Sequence, residues 1–371
     1  MIFLREVKDY VISDKIPYYV HCQYAIIHEK LLSEGCNSLL NLHLNASLFS
    51  IQTYARNTDM TEFKTNEWES TLLGYKSREE YLGFELKKKE FSSFDEGINY
   101  LKNCIKDNRL IAVGGSSYQL PYSYDYHNSN YFNGYPRLGG ISNHWMIVCG
   151  ISDNKVKVRD TTPRNYMGWI DLSDFKNFWM GDKNIPELKS VKGIDELLCF
   201  GYIDLIINKK LSKVEVKDIS FKVLKTIVHE YLCGKSIRFN EYYIHHGKKA
   251  FQSILNDLLI ISGDINGQDK IGKIAYVIDQ MRFSRYFLRD FLEDFKKLYE
   301  DPFYELYEDI SCIIKRLDKV SYVLFIEIKR KRELKTYIDS VIQELAQILN
   351  MEICFYEKAY LLLEDILLLE K

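Results

Sequence analysis

The stretch Pro17-Tyr18-Tyr19-Val20-His21-Cys22 leads into an apolar run and decides how the first half of the chain folds. From Tyr24 to Leu32 apolar residues recur at the spacing of an amphipathic helix, and Gly35 ends the run. The pattern predicts a helix from about Cys22 to Ser33. A cysteine thiol would therefore stand at the N-terminus of the first helix.

Strand-like segments follow this helix. A second helix is predicted between Phe91 and Asp107, because Ser93 and Glu96 are spaced as a capping box. The segments with strand character are 110–114, 145–149, 156–159, 168–171 and 200–207, with a short helix over 173–179. A helix first and strands later predict an α+β domain whose N-terminal Cys helix packs on an antiparallel sheet.

The pattern of the sequence changes near residue 210. All 4 Trp and five of the 6 Pro precede this point, and residues 45–80 are ambiguous. Helical periodicity dominates afterwards, over about 219–234, 240–262, 268–299, 302–333 and 334–369. We predict a catalytic domain over 1–210 and an all-α helical domain over 211–371 that acts as a lid or docks a partner.

Composition excludes several classes of protein. The 371 residues carry 50 Lys+Arg and 52 Asp+Glu, and a net charge of −2 gives no general attraction to nucleic acid. The 8 Cys include no CxxC pair, which predicts reduced thiols in a cytoplasmic protein. No signal peptide and no membrane span are expected. His245-His246 lacks neighbours at zinc-ligand spacing, so no metal is expected.

Three residues stand where nucleophilic chemistry would need them. Cys22 begins the first helix, His144 begins one predicted strand and Asp160 ends the next. A turn at 152–154 would bring the two strands side by side. A helix N-terminus and a nearby imidazolium both stabilise a thiolate, and the imidazole needs a third group to orient it. The pattern predicts a Cys-His-Asp triad.

Each of these residues also has a simpler explanation. A cysteine near a helix start is often a small buried apolar residue. Asp160 is also compatible with capping the loop Thr161-Thr162-Pro163. The combination of three residues favours catalysis.

The order Cys on an N-terminal helix, then His and an acid on strands, resembles papain-like cysteine enzymes. His21-Cys22, Leu120-Pro121-Tyr122, the run from Asn143-His144 to Gly150 and the strand ending at Asp160 resemble one subfamily more closely. It is the N-terminal domain family typified by the butirosin biosynthesis acyltransferase, and the resemblance covers roughly 15–210.

This resemblance implies a papain-like fold and an acyltransferase of antibiotic or nonribosomal peptide biosynthesis. Members take an acyl or peptidyl group from the phosphopantetheine thioester of a carrier protein and pass it to an amine, without a further cofactor. A related member is an amide synthase of closthioamide assembly. Transferred to this chain, the resemblance implies an acyl-Cys22 intermediate, with His144 as base and Asp160 as its orienter.

One feature departs from the papain-like pattern. A Gln usually precedes the cysteine and donates to the oxyanion, but residues 11–20 contain no Gln or Asn. The backbone N–H of Cys22 remains a donor, and the candidates for the second donor are Gln23, a tyrosine hydroxyl such as that of Tyr18, and another backbone group. The absence argues mildly against proteolysis.

Substrate contacts are expected from residues around the triad. The candidates are Tyr122, Asn143 and Trp145. The tyrosines at 118, 122, 124, 126, 131 and 135 fit either an acyl pocket or a loop packed on the core. Lys329-Arg330-Lys331-Arg332 fits either a carrier-protein docking patch or a solvated helix face.

Two other functions fit the same residues. A cysteine peptidase or thioester hydrolase would use the triad with water as acceptor. A non-catalytic papain-fold adaptor would keep the fold with an inert Cys22. Product analysis separates the first from an acyltransferase, and alkylation of the thiol near pH 6 tests the second.

Overall fold

A computed structural model describes residues 5–7, 16–36, 40–46, 53–57, 63–65, 78–129, 131, 144–161, 165–189, 194, 197–239, 242–264, 267–299 and 303–369. The fold is mixed α+β, with antiparallel sheets and a helical C-terminal region. No helix in these ranges is both long and apolar enough to cross a membrane.

The strands are short and pair antiparallel throughout. In chain order they are β1 Arg5–Glu6, β2 Thr53–Asn57, β3 Phe63–Thr65, β4 Phe84–Glu90, β5 Ile111–Gly115, β6 His144–Ile151, β7 Lys155–Asp160, β8 Tyr166–Asp171, β9 Gly201–Ile207, β10 Ser236–Phe239 and β11 Tyr242–His246.

The α-helices are short in the first half and long in the second. In chain order they are α1 Cys22–Ser33, α2 Leu40–Ala46, α3 Arg78–Leu82, α4 Phe94–Lys106, α5 Leu172–Met180, α6 Lys213–Cys233, α7 Lys248–Ser262, α8 Gly267–Tyr299, α9 Tyr304–Lys329 and α10 Ile338–Leu369.

The chain divides into two compact units. The first comprises 1–40 and 82–210, and the second comprises 41–81 and 211–371. The boundary at 210 is the one expected from sequence, but 41–81 belongs with the second unit rather than with 1–210. Its strands β2 and β3 complete a sheet with β10 and β11, and such pairing between distant segments leaves little trace in local sequence.

The first unit is built on a seven-stranded sheet. Six strands follow the order β4-β9-β5-β6-β7-β8, and β1 also pairs with β6. Helices α4 and α5 pack on one face through residues such as Leu101 and Phe178, while α1 covers the other through Ile26. The sheet is therefore buried on both sides, which explains why its central strands are apolar runs.

The second unit is not the all-α domain predicted from sequence. Residues 236–239 and 242–246 form a hairpin in a four-stranded sheet, so the helix expected over 240–262 begins only at Lys248. The long helices pack around an aromatic core that includes Phe291, Phe295 and Phe303. The hairpin was missed because its two short strands give a weak alternating pattern beside the strong helical pattern that follows.

Candidate active site

Cys22 occupies the first position of α1. His21 before it has extended backbone, and its carbonyl accepts from the N–H groups of Tyr24 and Ala25. The N–H groups at the start of a helix have no acceptor within it, and the peptide dipoles add partial positive charge there. The thiol of Cys22, which is partly exposed, therefore lies in the electrostatic environment that favours a thiolate.

His144 and Asp160 lie on adjacent strands joined by the predicted hairpin. Ser152 forms the turn by donating its N–H to the carbonyl of Lys155. The register pairs Ile147 with Arg159, so one step further Asp160 stands opposite Met146. His144 is then the diagonal neighbour of Asp160 on the same sheet face, within reach of a direct side-chain contact.

The imidazole of His144 is held by the Asp160 carboxylate. Nε2 of His144 lies 2.7 Å from Oδ2 of Asp160, and the two side chains are 12% and 3% exposed. Because the ionised carboxylate can only accept, Nε2 carries the proton. Cys22 is among the groups that raise the pKa of the imidazole, and Nδ1 is the ring nitrogen that Asp160 leaves available to the thiol. This tautomer has its acceptor nitrogen free to take the proton of Cys22.

Opposing effects act on the protonation of His144. Burial by itself lowers its pKa, but the charge of Asp160, the hydrogen bond to Asp160 and the interaction with Cys22 together raise the pKa well above the ordinary 6.5. The imidazolium form is therefore stabilised beside the sulfur. His144 is therefore a strong base for a proton delivered to its free nitrogen.

Asp160 is buried and shares one oxygen between two donors. The hydroxyl of Tyr122 donates a hydrogen bond of 3.0 Å to Oδ2, the oxygen that also accepts from His144. The ring of Tyr122 stacks on Tyr166, with centroids 3.8 Å apart and planes at 11°. The Asp160 carboxylate is thus placed where an orienting group for His144 would be, and residues 162–164 of the loop in the alternative interpretation lie outside the described residues.

A glycine allows the backbone beside His144 to pack closely. Gly115 pairs with His144 across β5 and β6. A Cβ at Gly115 would come within 2.1 Å of the backbone carbonyl oxygen of Phe178, whose ring lies edge-on to His144 with centroids 6.5 Å apart. The C-terminal part of α5 therefore rests directly on the strand that supports the imidazole.

The residues predicted to bind the oxyanion or the substrate differ in how the structure places them. Tyr18 is 71% exposed in a turn that starts at Pro17, so it is not held in place as a preorganised donor must be. Gln23 lies in the first turn of α1 and is partly exposed. It therefore remains a candidate for the second oxyanion donor, beside the backbone N–H of Cys22. Asn143 lies outside the described residues.

Two predicted substrate contacts are corrected. Trp145 is 4% exposed and belongs to the core beneath α1, where its ring covers Gly114. A ring buried there supports the helix of Cys22 and has no surface for substrate. Tyr122 contacts Asp160 rather than a substrate. Sequence shows that Tyr122 follows β5, but no local pattern says that its hydroxyl reaches Asp160.

The tyrosine-rich loop is divided between core and surface. Tyr118 and Tyr131 pack on an apolar cluster with Ile185 and Leu188, and the Tyr131 hydroxyl donates to Asp182 at 2.9 Å. The side chains at 124 and 126 are exposed, and position 135 is outside the described residues. The described part of this loop therefore supports the interpretation as a packed loop.

Comparison with known proteins adds no family assignment. No protein-family model matches the chain, and no curated protein is significantly similar to it. In the described part of the chain, no group of three or more His, Cys, Asp or Glu side chains is placed to hold a metal ion. The geometry around Cys22 is therefore the main indication of what the protein does.

Proposed function

We propose that the chain is a cysteine-dependent acyltransferase, or amide synthase, of a papain-like kind. It would move an acyl or peptidyl group from a carrier-protein thioester to an amine by way of acyl-Cys22. One observation carries the proposal. A thiol at a helix N-terminus interacts with an imidazole that a buried carboxylate holds through Nε2.

Acylation would begin with proton transfer from Cys22 to Nδ1 of His144. The thiolate then attacks the thioester carbonyl, and the backbone N–H of Cys22 donates to the oxyanion. The tetrahedral intermediate collapses with loss of the carrier thiol, which takes the proton back from the imidazolium. One thioester is broken and another is formed, so this step is nearly balanced in free energy.

Transfer to the acceptor would reverse the proton movements. An amine attacks the acyl-Cys22 carbonyl while His144 accepts its proton, and the sulfur leaves as thiol when that proton is returned. Asp160 accepts from Nε2 and stabilises the imidazolium in both halves of the reaction. A thioester donor releases enough free energy to form the amide, so no nucleotide is required. The proposed partners are accordingly a carrier protein and a small amine, and the proposed pathway class is antibiotic biosynthesis.

The experiment follows the acyl group on intact protein. The full chain is mixed with an acyl-pantetheine thioester as a small stand-in for the carrier-bound donor, and its mass is measured. An increase equal to one acyl group is expected in the wild type and in Cys36→Ala, but not in Cys22→Ala. Cys36 is the matched control because it is also a partly exposed thiol of the first unit. An adduct that persists in Cys22→Ala contradicts the mechanism.

Product analysis then separates transfer from hydrolysis. The acylated protein is chased with buffer alone or with a panel of primary amines. Amide formation at the expense of free acid supports a transferase. Release of free acid alone, unaffected by any amine, assigns the same triad to a hydrolase.

A further inference from the structure

The phenol of Tyr122 lies in the site, but none of the proposed reaction steps uses it. Its hydroxyl bonds to Oδ2 of Asp160 at 3.0 Å and lies 3.6 Å from the sulfur of Met146. Its ring is clamped by the stack on Tyr166, and Tyr166 is the cross-strand partner of Asp160. The donor is therefore fixed by packing and not by chance orientation of a surface side chain.

The other oxygen of Asp160 makes this bond more important. Oδ1 is buried and accepts no hydrogen bond from the described residues. The carboxylate charge is thus stabilised at Oδ2, where Tyr122 and His144 both donate. A hydrogen bond to a buried charged group is stronger than one between neutral groups, and its loss leaves the charge poorly solvated.

The phenol also keeps its proton across the working range. Burial, followed by the charge of Asp160 and the hydrogen bond to it, raises the pKa of Tyr122 above the ordinary 10. Tyr122 is therefore a permanent donor to the carboxylate, and it does not compete with His144 as an acid or base.

We propose that Tyr122 is a positioning residue, whose hydroxyl fixes the Asp160 carboxylate and shares its charge with His144. The bond to Tyr122 orients Oδ2 so that the imidazole is directed to Cys22. It also weakens the attraction of Asp160 for the imidazolium proton, because a carboxylate with two donors holds each of them less strongly. The importance of this alignment for catalysis rests on the proposed function, but the hydrogen-bond effect itself is measurable without turnover.

The groups that face the imidazole define the test. Cys22 approaches from α1, Asp160 from β7 and Tyr122 from the loop after β5, while α5 contributes the uncharged ring of Phe178. Because coupled groups titrate together, Cys22→Ala is the parent protein, so that the thiol does not contribute. Labelled histidine rings are followed by NMR against pH, and His144→Gln assigns the signal.

Tyr122→Phe and Tyr166→Phe are compared in this parent. Tyr166→Phe removes a hydroxyl from the same aromatic stack without removing a bond to Asp160. The titration midpoint of His144 is expected to rise by roughly half a pH unit or more in Tyr122→Phe, and to stay at the parent value in Tyr166→Phe. A midpoint in Tyr122→Phe that is unchanged, or lower, overturns the inference.

A second measurement covers a failure of Tyr122→Phe to fold. Incorporation of 3-fluorotyrosine at position 122 keeps the ring and makes the hydroxyl a stronger donor, so the His144 midpoint should fall. An unchanged or raised midpoint overturns the inference. Its failure is distinct from that of the proposed function. If the His144 midpoint shifts as expected but no acyl transfer is found, the positioning role of Tyr122 stands and the proposed function fails. If acyl transfer is found but the His144 midpoint does not shift, the positioning role of Tyr122 fails and the proposed function stands.

Discussion

Glu29 and Arg159 form a buried ion pair that links the helix of Cys22 to the strand of Asp160. The carboxylate and guanidinium approach to 3.7 Å, and the two side chains are 0% and 4% exposed. Arg159 also donates to Asn165, next to β8. Arg159 and Asp160 are consecutive, so successive side chains point to opposite sheet faces, one toward α1 and one toward His144. The pair therefore fixes the helix that begins at Cys22 relative to the strand that ends at Asp160.

Removing the charge of Glu29 should destabilise the first unit. Glu29→Gln removes the carboxylate that faces the buried guanidinium of Arg159, and breaking a buried ion pair typically costs about 3–5 kcal/mol. Denaturant unfolding followed by tryptophan fluorescence measures this, because Trp145, Trp169 and Trp179 all lie in the first unit. Glu34→Gln, at the exposed end of the same helix, is the control and should change stability by less than about 0.5 kcal/mol. Equal effects of the two substitutions would count against a special role for the pair.

Alkylation of Cys22 should depend on both of its partners. At pH 6 iodoacetamide should modify Cys22 faster than Cys233, which is exposed but lies at the C-terminal end of a helix. His144→Gln and Asp160→Asn should each slow modification of Cys22 by about tenfold or more, because the imidazolium is lost or destabilised. Peptide mapping by mass spectrometry gives both rates in one sample. Cys233 serves as the internal control, since its rate should not change with either substitution.

Two glycines should respond in opposite ways to the same substitution. Gly115→Ala places a methyl group against the backbone of Phe178, so β5 or α5 must shift and the pairing with His144 is disturbed. A loss of about 1–3 kcal/mol and slower alkylation of Cys22 are expected. Gly272 lies inside α8 with open space where a Cβ would stand, so Gly272→Ala should stabilise the protein by about 0.5–1 kcal/mol. Thermal unfolding of the two variants in parallel decides whether packing or helix propensity controls each site.

Local sequence predicted the elements around the site closely. The helix Cys22–Ser33 has the predicted ends. Helix α4 begins after Ser93, whose hydroxyl accepts from the N–H of Glu96 as predicted, but the Glu96 carboxylate accepts from Ser92 and so does not close the capping box. The hairpin that brings His144 beside Asp160 also followed from local signals, since a short turn between two strands leaves few alternatives. These predictions succeeded because spacing along the chain determines the structure directly.

Features that depend on distant segments were not predictable. The strand Phe84–Glu90 carries five charges in seven residues and was missed, because it lies at the edge of the sheet and most of its side chains are exposed. The bond from Tyr122 to Asp160 and the pairing of Glu29 with Arg159 join residues whose proximity is set by the sheet. Placement of residues 41–81 in the second unit has the same origin. Side-chain contacts of this kind need the register of the whole sheet, which no local pattern encodes.

A buried histidine on the helix of Cys22 should make the first unit sensitive to acid. His28 is buried, its Nδ1 has no hydrogen-bond partner among the described residues, and desolvation lowers its pKa from 6.5 to about 4. Between these two values the unfolded chain binds a proton that the folded protein does not. The contribution of His28 to stability is therefore fully present above about pH 6.5 and is lost as the pH falls toward 4. From pH 7.5 to pH 5 the loss should be about 2 kcal/mol.

The substitution His28→Leu tests this contribution, because it removes the titrating group and keeps an apolar side chain at the site. The free energy of unfolding is measured by denaturant at pH 7.5 and at pH 5. The decrease between these two pH values should be about 2 kcal/mol smaller in His28→Leu than in the wild type. His127→Asn is the matched control, since His127 is exposed and has the positive φ of 48° that asparagine tolerates. It should keep the pH dependence of the wild type. If His28→Leu loses as much stability as the wild type over this range, another group of the first unit must take up the proton.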